Sequence, residues 1–186
     1  MSIHQCLGAI AAIAVGLSAP TLAHAANDFY VGANLIRITD KGDAAPAIHP
    51  IALGLKVGMQ LTPNFALEAR AASGIKHDSA NVSGFDVDLK VDYLYGLYAK
   101  GRVEIGGVAP YLLLGYSRGQ ETATVKAFGL SQSEAHGSFS YGVGLDVPVS
   151  ERVSINAEWA QLVKGTDNAG VGFSIKGLTL GVTMKF

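Results

Sequence analysis

His136-Gly137-Ser138, with Glu134 two residues before the histidine, gathers an imidazole, a hydroxyl and a carboxylate in one short stretch. A serine hydroxyl becomes a nucleophile only when a neighbouring base takes its proton and an acid orients that base. On composition alone a hydrolytic triad can be written down there. It falls at the start of an alternating segment, in the longest polar connection of the chain, and reads as a coincidence of composition. No catalytic residue is assigned and no enzyme is expected. His49, His77 and His136 stand at no metal-ligand spacing from one another or from a cysteine. Asp86, Asp88 and Asp92 alternate, so they share one face of an extended segment. Calcium could use such a row, but paired or solvated carboxylates are the simpler expectation, and neither metal nor cofactor is assigned. Gly142-Val143-Gly144 is not a phosphate loop, since it lies inside an alternating segment with no helix after it.

The remaining charges are more informative. Lys56, Glu68, Arg70, Asp86, Asp88, Lys90, Asp92, Lys100, Asp146 and Glu158 all fall on the polar side of segments whose other side is apolar. In the second segment Ile51, Leu53, Leu55, Val57, Met59 and Leu61 oppose Ala52, Gly54, Lys56, Gly58 and Gln60. At the end of the chain Leu178, Leu180, Val182, Met184 and Phe186 oppose Gly177, Thr179, Gly181, Thr183 and Lys185. This is the pattern of a strand with one face in hydrocarbon and the other in a polar lumen.

Eight such segments can be counted. They start near Asp28, Ile51, Phe65, Phe85, Pro110 and Phe139, then Val153, and the last ends at Phe186. The connections alternate between short turns, such as Thr62-Pro63-Asn64 and Gly106-Gly107, and longer polar stretches, near 39–50, 74–84, 119–137 and 164–170. Short turns on one side and longer loops on the other are typical of bacterial outer-membrane barrels. The fold expected is therefore all-β, an eight-stranded antiparallel up-and-down transmembrane β-barrel. Closure satisfies every backbone group in lipid, which an open sheet cannot do.

Before it, Met1–Ala25 reads as a cleaved signal peptide. Cys6–Leu22 is nearly all small or apolar, and Ala23-His24-Ala25 fits a small-x-small cleavage site, although no Lys or Arg precedes the apolar run. The barrel is assigned 26–186. The single cysteine, Cys6, goes with the leader, so no disulfide is expected. The 14 basic and 15 acidic residues leave a net charge of −1 without a basic stripe, which argues against nucleic acid.

Val108-Ala109-Pro110-Tyr111-Leu112-Leu113-Leu114-Gly115-Tyr116, Ser140-Tyr141-Gly142-Val143-Gly144-Leu145-Asp146 and Ile155-Asn156-Ala157-Glu158-Trp159 resemble strands of the small outer-membrane β-barrel proteins related to OmpA, OmpX and the opacity proteins. The terminal Phe186 resembles the sorting signal that such proteins offer to the barrel-assembly machinery. The resemblance implies an integral outer-membrane location after export through the periplasm. A monomer in contact with outer-membrane lipid and lipopolysaccharide is expected. The resemblance supplies no single activity. Some outer-membrane barrels modify lipid A, and His136-Gly137-Ser138 superficially resembles the His-x-Ser of lipid A deacylases, without the residues that surround it there.

An eight-stranded barrel has room for side chains or one small ligand. Charges in it must pair, because a lone buried ion is costly. A lumen charge network is therefore expected among Lys56, Glu68, Arg70, Asp88, Lys90, Asp92, Asp146 and Glu158. The expected role is structural or surface-interactive, with recognition chiefly on 120–136. The alternatives are a narrow pore for ions or small solutes and a lipid A-modifying enzyme. Phe29, Phe65 and Phe186 are expected at the inner rim, and Phe85, Tyr116, Phe139 and Phe173 at the outer rim, as interfacial anchors.

Overall fold

The computed structural model describes residues 29–42, 49–76, 78–82, 85–125, 130–166 and 172–186. The expected leader, 1–25, lies outside the described residues. Nine strand segments follow one another: β1 (Phe29–Gly42), β2 (Ile51–Thr62), β3 (Phe65–Lys76), β4 (Asp78–Val82), β5 (Phe85–Arg102), β6 (Ala109–Val125), β7 (Leu130–Pro148), β8 (Val153–Thr166) and β9 (Gly172–Lys185). Apart from β3 and β4, neighbours in the sequence pair in antiparallel fashion, and β1 also pairs with β9, from Tyr30↔Lys185 to Gly42↔Phe173, which closes the sheet. The Phe186 N–H donates to Phe29 O at 3.1 Å, so the last residue is stitched to the first strand. β3 and β4 both pair with β5. Between Ala72↔Leu94 and Asp78↔Leu89 the chain advances six residues against five on β5, the signature of a β-bulge. The two segments are thus one wall strand, and the barrel has eight.

The short turns gather at the end that holds Phe29 and Phe186, the periplasmic side of such a barrel. Gly106 and Gly107 have φ of 59° and 85°, as a two-residue type I′ hairpin requires. At the first turn Thr62 Oγ1 accepts from the Asn64 and Phe65 N–H groups at 3.3 and 3.0 Å.

The other end departs from the sequence reading. The described residues within 74–84 and 119–137, read as loops, are strand: the β6–β7 ladder runs unbroken from Ala109↔Asp146 to Val125↔Leu130. Polar residues on both faces hid these strands, because a hairpin standing above the hydrocarbon has no reason to alternate. Recognition expected on a loop at 120–136 would have to use a stiff hairpin instead. β7 pairs with β8 only from Tyr141↔Gln161 to Pro148↔Ser154. Above that point side chains bridge the seam. Ser138 Oγ accepts from the Lys164 N–H at 2.9 Å, and Ser140 Oγ donates to Leu162 O at 2.5 Å.

The apolar faces point outward. Leu53, Leu55, Val57, Leu67, Leu97, Leu112, Leu114, Val143, Leu178, Leu180 and Val182 are all exposed and form the lipid-facing band. Phe29, Phe65 and Phe186 are exposed at the periplasmic end. Tyr116 and Phe139 are exposed toward the other end, joined by Tyr95, Tyr141 and Trp159. The Phe85 and Phe173 side chains lie outside the described ones.

Candidate functional site

Lumen-facing positions of seven wall strands build one charged core. Glu68 and Arg70 come from β3, Tyr98 and Lys100 from β5, Tyr111 from β6, Asp146 from β7, Glu158 from β8, Tyr30 from β1 and Lys56 from β2. Arg70 lies between two carboxylates. It donates to Glu68 Oε2 from Nε (2.8 Å) and Nη2 (2.5 Å), and to Glu158 from Nη1 (2.7 Å) and Nη2 (3.0 Å). Tyrosine hydroxyls complete the carboxylate shells: Tyr30 donates to Glu68 Oε1 at 2.7 Å and Tyr111 to Glu158 Oε2 at 2.9 Å. Lys100 Nζ bonds Asp146 at 2.6 Å, lies 3.5 Å from Glu68, and sits 3.9 Å from the Tyr111 ring centroid. The Arg70 guanidinium covers the Tyr98 ring, whose hydroxyl bonds Ser117. Lys56 is buried beside Arg70 in the β2–β3 ladder and joins no ion pair among the described residues. Three cations therefore face three carboxylates, which is the balance that a poorly solvated interior demands.

Tyr30, Tyr111 and Lys56 fit because glycines stand opposite them. A Cβ on Gly58 would clash with the edge of the Tyr30 ring, one on Gly144 with that of the Tyr111 ring, and one on Gly32 would stand 2.6 Å from Lys56 Cε. Interior glycine here is space for a neighbour's ring or stem. Gly144→Val is expected to push Tyr111 off Glu158 and cost about 1–3 kcal/mol of folding free energy, measured by denaturant unfolding in lipid vesicles. Gly101→Val, where a Cβ meets only the edge of the exposed Phe65 ring, should cost less.

Of the residues named from the sequence, the structure brings Lys56, Glu68, Arg70, Asp146 and Glu158 together in the core. Asp88, Lys90 and Asp92 do not join them, and their placement in the lumen is corrected. A bulge between Val91 and Tyr93 offsets the alternation of β5, so Val91, expected to face lipid, is buried in the lumen. Lys90 is 61% exposed and lies 3.7 Å from Asp92, which also accepts from Thr122 (2.6 Å) and Gln120 (3.3 Å). Asp88 shares the face of Lys90. The Asp86 side chain lies outside the described ones. Lys100 and the three tyrosines were the missed partners. Lys100 stood on the inward list, and the tyrosines were legible only as aromatics at inward parity.

Above the charged core the lumen is apolar. On β1 the inward order is Tyr30, Asn34, Ile36, Ile38; on β8 it is Asn156, Glu158, Ala160, Leu162. Ile36, Ile38, Ala52, Val91, Leu94, Ala160, Leu162, Val163 and Ile175 form one buried cluster toward the outer end. Between the layers is a cavity of about 20 Å³, lined by Asn34, Arg70, Tyr98, Glu158, Leu162 and Thr179 among others, room for about one water molecule. A second, of the same size, opens at the periplasmic mouth beside Lys100, Asp146 and Lys185.

The His136-Gly137-Ser138 stretch does not assemble a triad. His136 Nε2 lies 3.2 Å from Glu134, but the Ser138 hydroxyl bonds Phe139 O (3.2 Å) and the Lys164 N–H, both at the seam. His49 Nδ1 lies 3.2 Å from Thr39 Oγ1. His77 lies outside the described residues.

Residues 9–186 match the family described as Outer membrane protein beta-barrel domain. No curated protein matches the sequence. Among solved structures, Ail, the attachment invasion locus protein of Yersinia pestis, superposes with a TM-score of 0.60 at 20% identity, over 86% of this chain and 99% of that one. Neisserial surface protein A gives 0.65 at 16% identity, over 85% and 97%. OprG from Pseudomonas aeruginosa gives 0.60 at 14% identity, over 88% and 97%. At these identities the likeness is one of fold.

Proposed function

From its membership of the outer membrane protein beta-barrel domain family, which places the chain in the bacterial outer membrane, we propose that it acts there as a non-catalytic, non-conducting barrel with a structural or surface-interaction role. One observation carries the reading: the lumen is filled twice over. An ion-pair layer centred on Arg70 spans the middle, and an apolar cluster from Ile36 to Ile175 stands above it. A hydrated ion moving through would have to break a doubly paired guanidinium and then enter hydrocarbon, at a cost of many kcal/mol. The engagement of the Ser138 hydroxyl at the seam weighs against a hydrolase. The neighbours named for attachment and for the surface agree with a role exerted from outside the barrel. The β6–β7 hairpin is the element best placed for contact above the membrane.

The test is planar-bilayer recording of the purified protein in concentrated potassium chloride. The expected trace stays at baseline. Discrete, reproducible current steps would replace this reading with the narrow-pore alternative.

A further inference from the structure

The outward face changes character at one level. On β1, β9 and β8 the lipid-facing residues Leu35, Leu178, Leu180 and Trp159 are apolar and exposed. The next outward positions toward the outer end are Arg37 on β1, Lys176 on β9 and, beyond Gln161, Lys164 on β8. Register brings these cations together. Arg37 pairs with Leu178, two residues from Lys176, and Lys164 pairs with Ser174, two residues from Lys176 on the other side. Diagonal neighbours of this kind have Cα atoms about 7–8 Å apart, so the three form a chain across three adjacent strands. None of them joins an ion pair among the described residues, and no carboxylate on the outward face of these strands accompanies them. Elsewhere at the outer end Lys76 and Arg118 are exposed, and Lys90 lies near Asp92 and shares its face with Asp88. The periplasmic turns carry Glu104, Glu151 and Arg152.

We propose that Arg37, Lys164 and Lys176 form a binding site for the phosphates of an outer-leaflet glycolipid. The depth fits the headgroup, because the cations begin one outward position above Leu178 and Leu35, where hydrocarbon contact ends. The charge fits, since three clustered cations at a lipid surface attract anionic headgroups. Two or three donors around one phosphate give the charge-assisted hydrogen bonds that hold it. Continuity fits as well: the acyl chains of the same lipid would lie against Leu178, Leu180 and Trp159. The inference stands on the outer wall alone and does not depend on whether the lumen conducts.

The purified barrel in detergent is titrated with lipid A, a glycolipid carrying two phosphates, with its dephosphorylated form, and with inorganic phosphate, and bound lipid is read by native mass spectrometry. Each cation near a lipid surface is worth about fivefold in affinity. The triple variant R37Q/K164Q/K176Q is therefore expected to bind lipid A about a hundredfold more weakly. Arg152→Gln should bind like the parent, and the dephosphorylated glycolipid should bind the parent as weakly as lipid A binds the triple variant. Retention of the heat-modifiable gel shift shows that the variants are folded. Unchanged affinity in the triple variant would overturn the site. So would equal binding of the dephosphorylated lipid, or competition by inorganic phosphate at the concentrations at which lipid A binds, which would leave only a general anion site.

Discussion

Replacing Glu68 by alanine is expected to remove about 3–5 kcal/mol of folding free energy, read as urea unfolding of the barrel in lipid vesicles through the fluorescence of its single tryptophan, Trp159. Glu68 touches more of the core than any other carboxylate. It accepts from Tyr30 and Arg70 and lies 3.5 Å from Lys100. Without it, Lys56, Arg70 and Lys100 face only Asp146 and Glu158, and the Tyr30 hydroxyl loses its acceptor. The penalty comes from leaving charge and hydroxyl buried and unmatched, more than from the attraction lost. The double change Glu68→Leu with Arg70→Leu provides the contrast. Removing a complementary pair together often costs little, so the double variant is expected to be no worse than the single one. A loss below about 1 kcal/mol for Glu68→Ala would mean that water already solvates these groups and that the lumen is open.

The architecture was legible because lipid outside and charge inside impose period two over long stretches. β2 shows it without a break, with Leu53, Leu55 and Val57 exposed and Ala52, Lys56 and Gly58 buried. What period two could not convey is a place where the period slips. One extra residue near Asp92 turned Asp88 and Lys90 away from the lumen and put Val91 into it. No residue type marks a bulge of this kind, so it has no sequence signal of its own. The apolar layer was obscured for a related reason. Leu35-Ile36 and Leu162-Val163 are apolar at successive positions, which a reading of one face as polar passes over. In fact they mark a level at which the inside is as dry as the outside. Half the charged core was readable because a buried ion must be matched. The tyrosines escaped because an inward ring needs an empty partner, and the partners were glycines on neighbouring strands: Gly58 for Tyr30 and Gly144 for Tyr111. That relation lives in the register, which a single sequence does not display.

Leu55→Arg is expected to cost about 2–4 kcal/mol, by the same unfolding measurement. Leu55 lies mid-strand on β2, 58% exposed, with Ala33 and Ala71 as its ladder partners on either side. Neither small neighbour can screen a guanidinium from acyl chains, and Leu53 and Val57, the next residues on the same face, are apolar and exposed. From this depth the arginine stem must stretch far to reach either headgroup layer. Gln60→Arg is the control, because Gln60 is on the lumen side near the periplasmic mouth, where its amide already donates to the Thr62 and Pro63 carbonyls at 2.8 and 3.2 Å. An arginine there can reach the same oxygens and water. The difference between the two variants measures which wall of the strand meets hydrocarbon. Equal losses would mean that the faces are assigned the wrong way round. The charged core could not then be an interior, and the cations above Leu178 could not stand at a lipid surface.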